Sequence, residues 1–158
     1  LTIFNPDIKV NGEKVFDRLE NCKTYFGLSE KPTNWDEYLL DDLIVYWNIS
    51  ESKYREQDGI VYIYDDKEHT VTVTNHLNEI EKVIIPDSIK FNTNNYRVSK
   101  ISERAFYKNE IVKEVSLPIG MLSIGQYAFY DCVNLKTSNI TPDIKSIGEC
   151  AVEYTCLN

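Results

Sequence analysis

The sequence predicts an α/β fold: a short right-handed repeat solenoid behind a mixed, partly helical N-terminal cap, with an antiparallel hairpin leading into the repeats. Three observations carry this expectation. The segments 101–106 (ISERAF), 124–129 (IGQYAF) and 147–152 (IGECAV) stand 23 residues apart, an interval typical of solenoid repeats. Short runs such as 83–85 (VII) and 115–117 (VSL) are each closed by proline; they have the period of two of a half-buried strand, which proline ends because it lacks the ladder N–H. From Asp58 the pattern alternates strictly, as a strand pair does.

Taken in order, residues 1–57 read as a cap. Val15, Leu19, Cys22 and Phe26 fall on one face of a helix that Gly27 closes. A hairpin around Asn11-Gly12 is the rival reading. Asn34 and Glu37 form a capping pair for a second helix whose face carries Trp35, Leu39, Leu43 and Tyr46, although 43–47 also reads as a strand. A non-repeating aromatic leader is the kind of segment that covers the open end of a stack. Ile60, Tyr62 and Tyr64 on one strand and Val71 and Val73 on the next are joined by the polar loop 65–69. Repeats follow near 83–108, 109–131 and 132–158; the first carries an inserted hairpin turning at 92–95 (NTNN). One unit cannot bury its apolar side alone. Successive units must therefore stack, with Phe106, Phe129 and Val152 in a column that Asn109 and Cys132, sharing one register, leave imperfect.

The pattern I-G-x-x-A-F-x-x-C-x-x-L followed by a strand ending in proline resembles the leucine-rich repeats of the BspA-like type. Ile124, Gly125, Ala128, Phe129, Cys132 and Leu135 are all on pattern; the first repeat departs at Ser102 and Asn109, the third at Cys150 and Val152. The resemblance covers residues 58–158. It implies a leucine-rich-repeat solenoid in a cell-surface or secreted protein with an adhesive role towards a host or matrix protein.

Composition bounds the alternatives. With 42% apolar and 12% aromatic residues the chain is expected to fold rather than stay disordered. Its 25 acids against 17 bases disfavour nucleic acid, whose phosphates need a basic stripe. No apolar run of 18 residues predicts membrane insertion. The Leu1 start and the end within a repeat read as an excised domain or mature fragment. Cys22, Cys132, Cys150 and Cys156 lack zinc spacing; Cys132 reads as a buried thiol, while Cys150 and Cys156 are free or, in an exported protein, bridged.

No constellation reads as an active site. His69 and His76 have no H-E-x-x-H frame, the neighbouring acids Asp41-Asp42 and Asp65-Asp66 point apart rather than converge, and no nucleophile or phosphate motif is present. The triplets starting at Asn48 and Asn139 matter only in a glycosylating secretory pathway. No catalytic residue, metal or cofactor is therefore expected. What remains is surface. If Val115 and Leu117 point inward, Glu114 and Ser116 point out, aligned with Lys82 and Ile84 on one side and Thr137 and Asn139 on the other. That row is the candidate partner-binding face. Tyr107, Tyr127 and Tyr130 form a second candidate patch or pack between coils. The expected function is non-catalytic protein binding at a cell surface; the alternatives are a cytoplasmic scaffold or regulatory domain, and the binding module of a larger enzyme or effector.

Overall fold

The computed structural model describes residues 2–3, 23–26, 44–46, 51–76, 80–139 and 141–157. The chain divides into two compact units, Leu1–Glu51 and Ser52–Asn158. In the first, strands β1 (Thr2–Ile3), β2 (Lys23–Phe26) and β3 (Ile44–Tyr46) form a parallel sheet in that order, with Thr2 opposite Tyr25 and Lys23 opposite Ile44. The helix expected to run through Phe26 is thus a strand at 23–26, and Ile44–Tyr46 follows the strand alternative. Phe26 and the β-branched Ile44 and Val45 suit a pleated surface, so pairing across the sheet overrides the helical spacing. The remaining positions of both expected helices lie outside the described residues.

The second unit starts with β4 (Tyr54–Gln57), which turns through Asp58-Gly59 into β5 (Ile60–Asp65) and then β6 (Thr70–His76). Asp58 and Gly59 both have positive φ, 52° and 73°, as a tight two-residue hairpin requires. β7 (Lys82–Ile84) follows, then the expected inserted hairpin of β8 (Ser88–Phe91) and β9 (Asn94–Ile101) about Asn92. β10 (Glu114–Ser116), β11 (Ser123–Ile124), β12 (Thr137–Ser138) and β13 (Ser146–Ile147) complete it. Two sheets result. One runs β4-β5-β6-β9-β11-β13 with β8 on β9; the other is β7-β10-β12, wholly parallel.

The parallel ladders fix the stack. Ile101 pairs with Ile124 and Ile124 with Ile147 in one sheet, while Val83, Val115 and Ser138 align in the other. Between the sheets lie the expected apolar residues: Ile101, Ala105, Phe106, Val115, Leu117, Ile124, Ala128, Phe129 and Leu135 are all buried. Phe106 and Phe129 stack face to face at 5.0 Å and 7°, and Val152, one period on, packs half-buried against the core. His76 extends the column at its start, stacked on Phe106 at 5.2 Å with its Nδ1 3.0 Å from the Ala105 carbonyl oxygen.

Each Ala-Phe corner is a turn bonded to the next coil. Phe106 N–H donates to Ala128 O and Phe129 N–H to Ala151 O, both at 2.7 Å. Two left-handed residues set each corner: Arg104, Tyr127 and Cys150 in one register, Lys108, Asp131 and Tyr154 in the other, all with φ of 50–56°. The coils approach so closely that a Cβ on Gly125 would lie 2.4 Å from Glu103 N, and one on Gly148 2.3 Å from Gln126 N. Ser102 fills the same register in the first repeat, its N–H bonded to Val73 O of β6 at 2.8 Å. Its neighbour is an ordinary strand instead of another Ala-Phe coil, which accounts for the departure from glycine.

Candidate functional site

The β7-β10-β12 sheet puts the expected partner-binding residues in one row. Backbone register sets Glu114 between Lys82 and Thr137, and Ser116 beside Ile84. Alternation sends Val83 and Val115 inward and leaves Lys82, Ile84 and Glu114 exposed. Lys82 Nζ and Glu114 Oε2 form an ion pair at 3.1 Å. The Lys113–Glu81 pair at 2.7 Å runs parallel to it. Ile84, 60% exposed, is the apolar member of the row.

Asn139 has a different task. Its Oδ1 accepts from Leu117 N–H at 2.7 Å and its Nδ2 donates to Leu117 O at 3.0 Å. The side-chain amide thus takes over the ladder just where β12 ends at Ser138, and it is committed to the fold as well as exposed.

The tyrosines form a second cluster, at the corners. Tyr107 and Tyr130 stack in parallel at 5.4 Å and 12°. Tyr127 and Tyr154 meet Tyr130 edge to face at 5.4 and 5.3 Å. Arg104 lies over Tyr107 and Tyr127 at 5.5 and 5.6 Å, and Lys108 over Tyr107 at 5.4 Å. These rings pack between coils and still reach the surface: Tyr107, Tyr127 and Tyr130 are half-buried and Tyr154 is exposed.

Both histidines are engaged by their neighbours. His69 Nδ1 is 2.8 Å from the Tyr64 hydroxyl, and His76 belongs to the Phe column. Asp65 Oδ1 accepts the N–H groups of Lys67 and Glu68 at 2.8 and 3.1 Å, the Glu68 bond foremost in holding its carboxyl below the usual range. Asp66 pairs with Lys53; Asp41 and Asp42 lie outside the described residues. Among the described residues, no three His, Cys, Asp or Glu side chains gather as a metal site would need.

Cys132, Cys150 and Cys156 are free thiols, buried, half-buried and exposed respectively. Burial pushes the Cys132 thiol up to about 12, and it donates to Phe106 O at 3.0 Å. Cys150 is pushed up to about 11, chiefly by its hydrogen bond with Glu153. The Asn109–Cys132 register proves to be a row of caps: Asn109 Oδ1 accepts from Ile111 and Val112 N–H at 2.8 and 2.9 Å, and Thr155 in the third coil caps Val152 O at 2.8 Å.

Comparison with known proteins follows the same lines. The family model described as the BspA type leucine rich repeat region matches residues 64–158 in 6 copies. A leucine rich cell surface protein from Faecalibacterium prausnitzii is similar, with 26% identity and a TM-score of 0.58 over 64% of this chain. The chain spans 28% of that protein's length. A leucine-rich repeat protein from Bacteroides capillosus also has 26% identity, with a TM-score of 0.56 over 61% of this chain and 72% of the other. A leucine rich repeat protein from T. pallidum shares the fold at 24% identity, TM-score 0.57, over 65% of this chain and 46% of its own. Comparison with curated proteins found no match.

Proposed function

Given that the chain belongs to the BspA-type leucine-rich repeat family, we propose that it is a non-catalytic protein-recognition module whose partner lies across the β7-β10-β12 row. The observation that carries this reading is the row itself. Lys82, Ile84, Glu114 and Ser116 stand on hydrogen-bonded strands, Thr137 is paired with Glu114, and Asn139 is held by its side-chain bonds to Leu117, so the row is a rigid surface that loses little entropy on binding. On the outer strand Ile84 supplies an apolar contact and the neighbouring Lys82–Glu114 pair a polar one, the two kinds of contact a small recognition patch combines.

The finer reading is an adhesin-like domain of a surface or secreted protein, directed at a host or matrix protein. The similar protein from Faecalibacterium prausnitzii, itself described as a cell surface protein, supports that setting. The alternative is an intracellular scaffold, whose cysteines a reducing compartment would keep as thiols. Native material with Cys150 and Cys156 joined would support export, and thiols that all titrate would support the interior.

The test of the row is an Ile84→Glu, Glu114→Arg double variant immobilised beside the parent protein. Both changes are on exposed side chains, so the denaturation curve should stay within about 0.5 kcal/mol of the parent. A partner retained by the parent and lost by the variant fits the proposal; equal retention by both removes the row from consideration.

A further inference from the structure

The tyrosine corner repeats with a change of sign. In the first coil Tyr107 has a cation on each side in sequence, Arg104 at 5.5 Å and Lys108 at 5.4 Å from its ring. One coil on, Tyr130 stacks below it in the same register, yet the residues that correspond to Arg104 and Lys108 are Tyr127 and Asp131. In the third coil the same two positions are Cys150 and Tyr154, and Glu153 takes the place of the ring. The cations of the first coil therefore cover its own ring, Tyr107, and Arg104 also reaches Tyr127 of the second. The second and third offer rings and acids.

We infer that the Tyr130–Tyr154 end of this ledge, rimmed by Asp131 and Glu153, binds an arginine or lysine side chain of a basic peptide segment on a partner protein. Tyr154 is 61% exposed and meets Tyr130 edge to face, so ring surface is open to a guest. Cations are drawn to tyrosine faces within about 6 Å of the centroid, and more strongly when partly desolvated. Arg104 and Lys108 already show that contact on this protein's own scaffold, at the neighbouring coil. The two carboxylates add the complementary charge; burial first, and then Tyr154, Glu153, Tyr107 and Asp131, raise the Tyr130 phenol above its usual range. The net charge of −8 favours approach of a basic segment. These residues are distinct from the β7-β10-β12 row, so the inference stands or falls separately from that proposal.

The experiment titrates the full chain with a blocked pentapeptide bearing a central arginine, and with the same peptide bearing citrulline, an isostere without the charge. Ring resonances of the tyrosines are followed by NMR at low and high salt. The expected result is shifts centred on Tyr130 and Tyr154, binding of the arginine peptide about tenfold tighter than citrulline, and weakening at high salt. Tyr154→Leu and Glu153→Gln should each weaken it about fivefold, while Tyr107→Leu, on the ring that already carries cations, should change it less than twofold. Tyr154 and Glu153 are exposed, so these two variants are expected to keep the parent's fold, which the unshifted core resonances would verify. Equal binding of the citrulline peptide, or no shift with either peptide at tens of millimolar, overturns the inference. So does concentration-dependent self-association abolished by Tyr154→Leu, since the occupant would then be a second copy of this chain.

Discussion

Replacing Gly125 by alanine puts one methyl group into the tightest point of the stack. The new Cβ would sit 2.4 Å from Glu103 N, 2.5 Å from Ser102 C and 2.8 Å from Ser102 O, whereas nonbonded heavy atoms rest at about 3.5–4 Å. All three are backbone atoms, so no side chain can swing aside and the two coils must part by about 1 Å, a gap that forfeits roughly a quarter to a half of the local dispersion energy. Overpacking of this kind costs about 1–3 kcal/mol. The Gly125 N–Ile101 O and Arg104 N–Gln126 O bonds, 2.8 and 2.9 Å long, stretch with it, at about 1 kcal/mol each. The sum is about 3–5 kcal/mol, a large part of the 5–15 kcal/mol typical of a domain. Urea denaturation followed by tyrosine fluorescence excited at the tyrosine band, with near-ultraviolet circular dichroism of the stacked Tyr107, Tyr127 and Tyr130 as a second probe, reads this. Gly148→Ala meets contacts just as short, all with backbone atoms, and should cost a similar amount. A Gly125→Ala loss below about 1 kcal/mol with an unchanged denaturant slope would refute the close-approach argument.

Two further outcomes follow from the corner caps and the thiols. Asn109→Ala should destabilise by about 1–3 kcal/mol, since the buried Val112 amide and the part-buried Ile111 amide lose their acceptor; Asn109→Asp, which keeps the acceptor, should recover part of that loss in the same denaturation assay. In the native protein at pH 8, Cys156 should react with a maleimide well before Cys150, and Cys132 only on unfolding, as peptide mapping of timed samples would show. The raised Cys132 thiol also carries a sign: its contribution is whole below the ordinary thiol range near 8.5 and is lost as pH rises from there towards 12.

The repeat was legible because its signals are side chains with one use each. Ile101 and Ile124, the Ala-Phe pairs and the prolines carry the coil in their chemistry, and the 23-residue interval sets the register the ladders adopt. The outward Lys82, Ile84 and Glu114 followed from alternation together with stacking of the coils. Other features left weaker traces. Asp58-Gly59 is a strong hairpin signal that places β4 with the second unit, ahead of the boundary expected at residue 57. His76 stands in the aromatic column because β6 brings it there, which no spacing within the repeat could show. Asn109 looked like a flaw in a column and is a cap, since its partners are backbone amides that a sequence does not display. The strands at 23–26 and 44–46 pair with distant segments, and helical periodicity is a local signal. Most of the left-handed corner residues were invisible for a similar reason: arginine, tyrosine, cysteine and lysine give no hint of positive φ, and only Asp131 is of a type enriched there.

Those left-handed corners have a bearing on how the molecule comes into being. A non-glycine residue in that conformation costs about 1–2 kcal/mol, and each corner holds two of them; the bonds within a corner are long, 3.1–3.3 Å, and the shorter ones, 2.7–3.0 Å, run to the adjacent coil. A lone coil would therefore relax out of shape, and its geometry is a loan from its neighbour. Growth of the structure is then a matter of templating, each newly ordered coil serving as the mould for the one beside it.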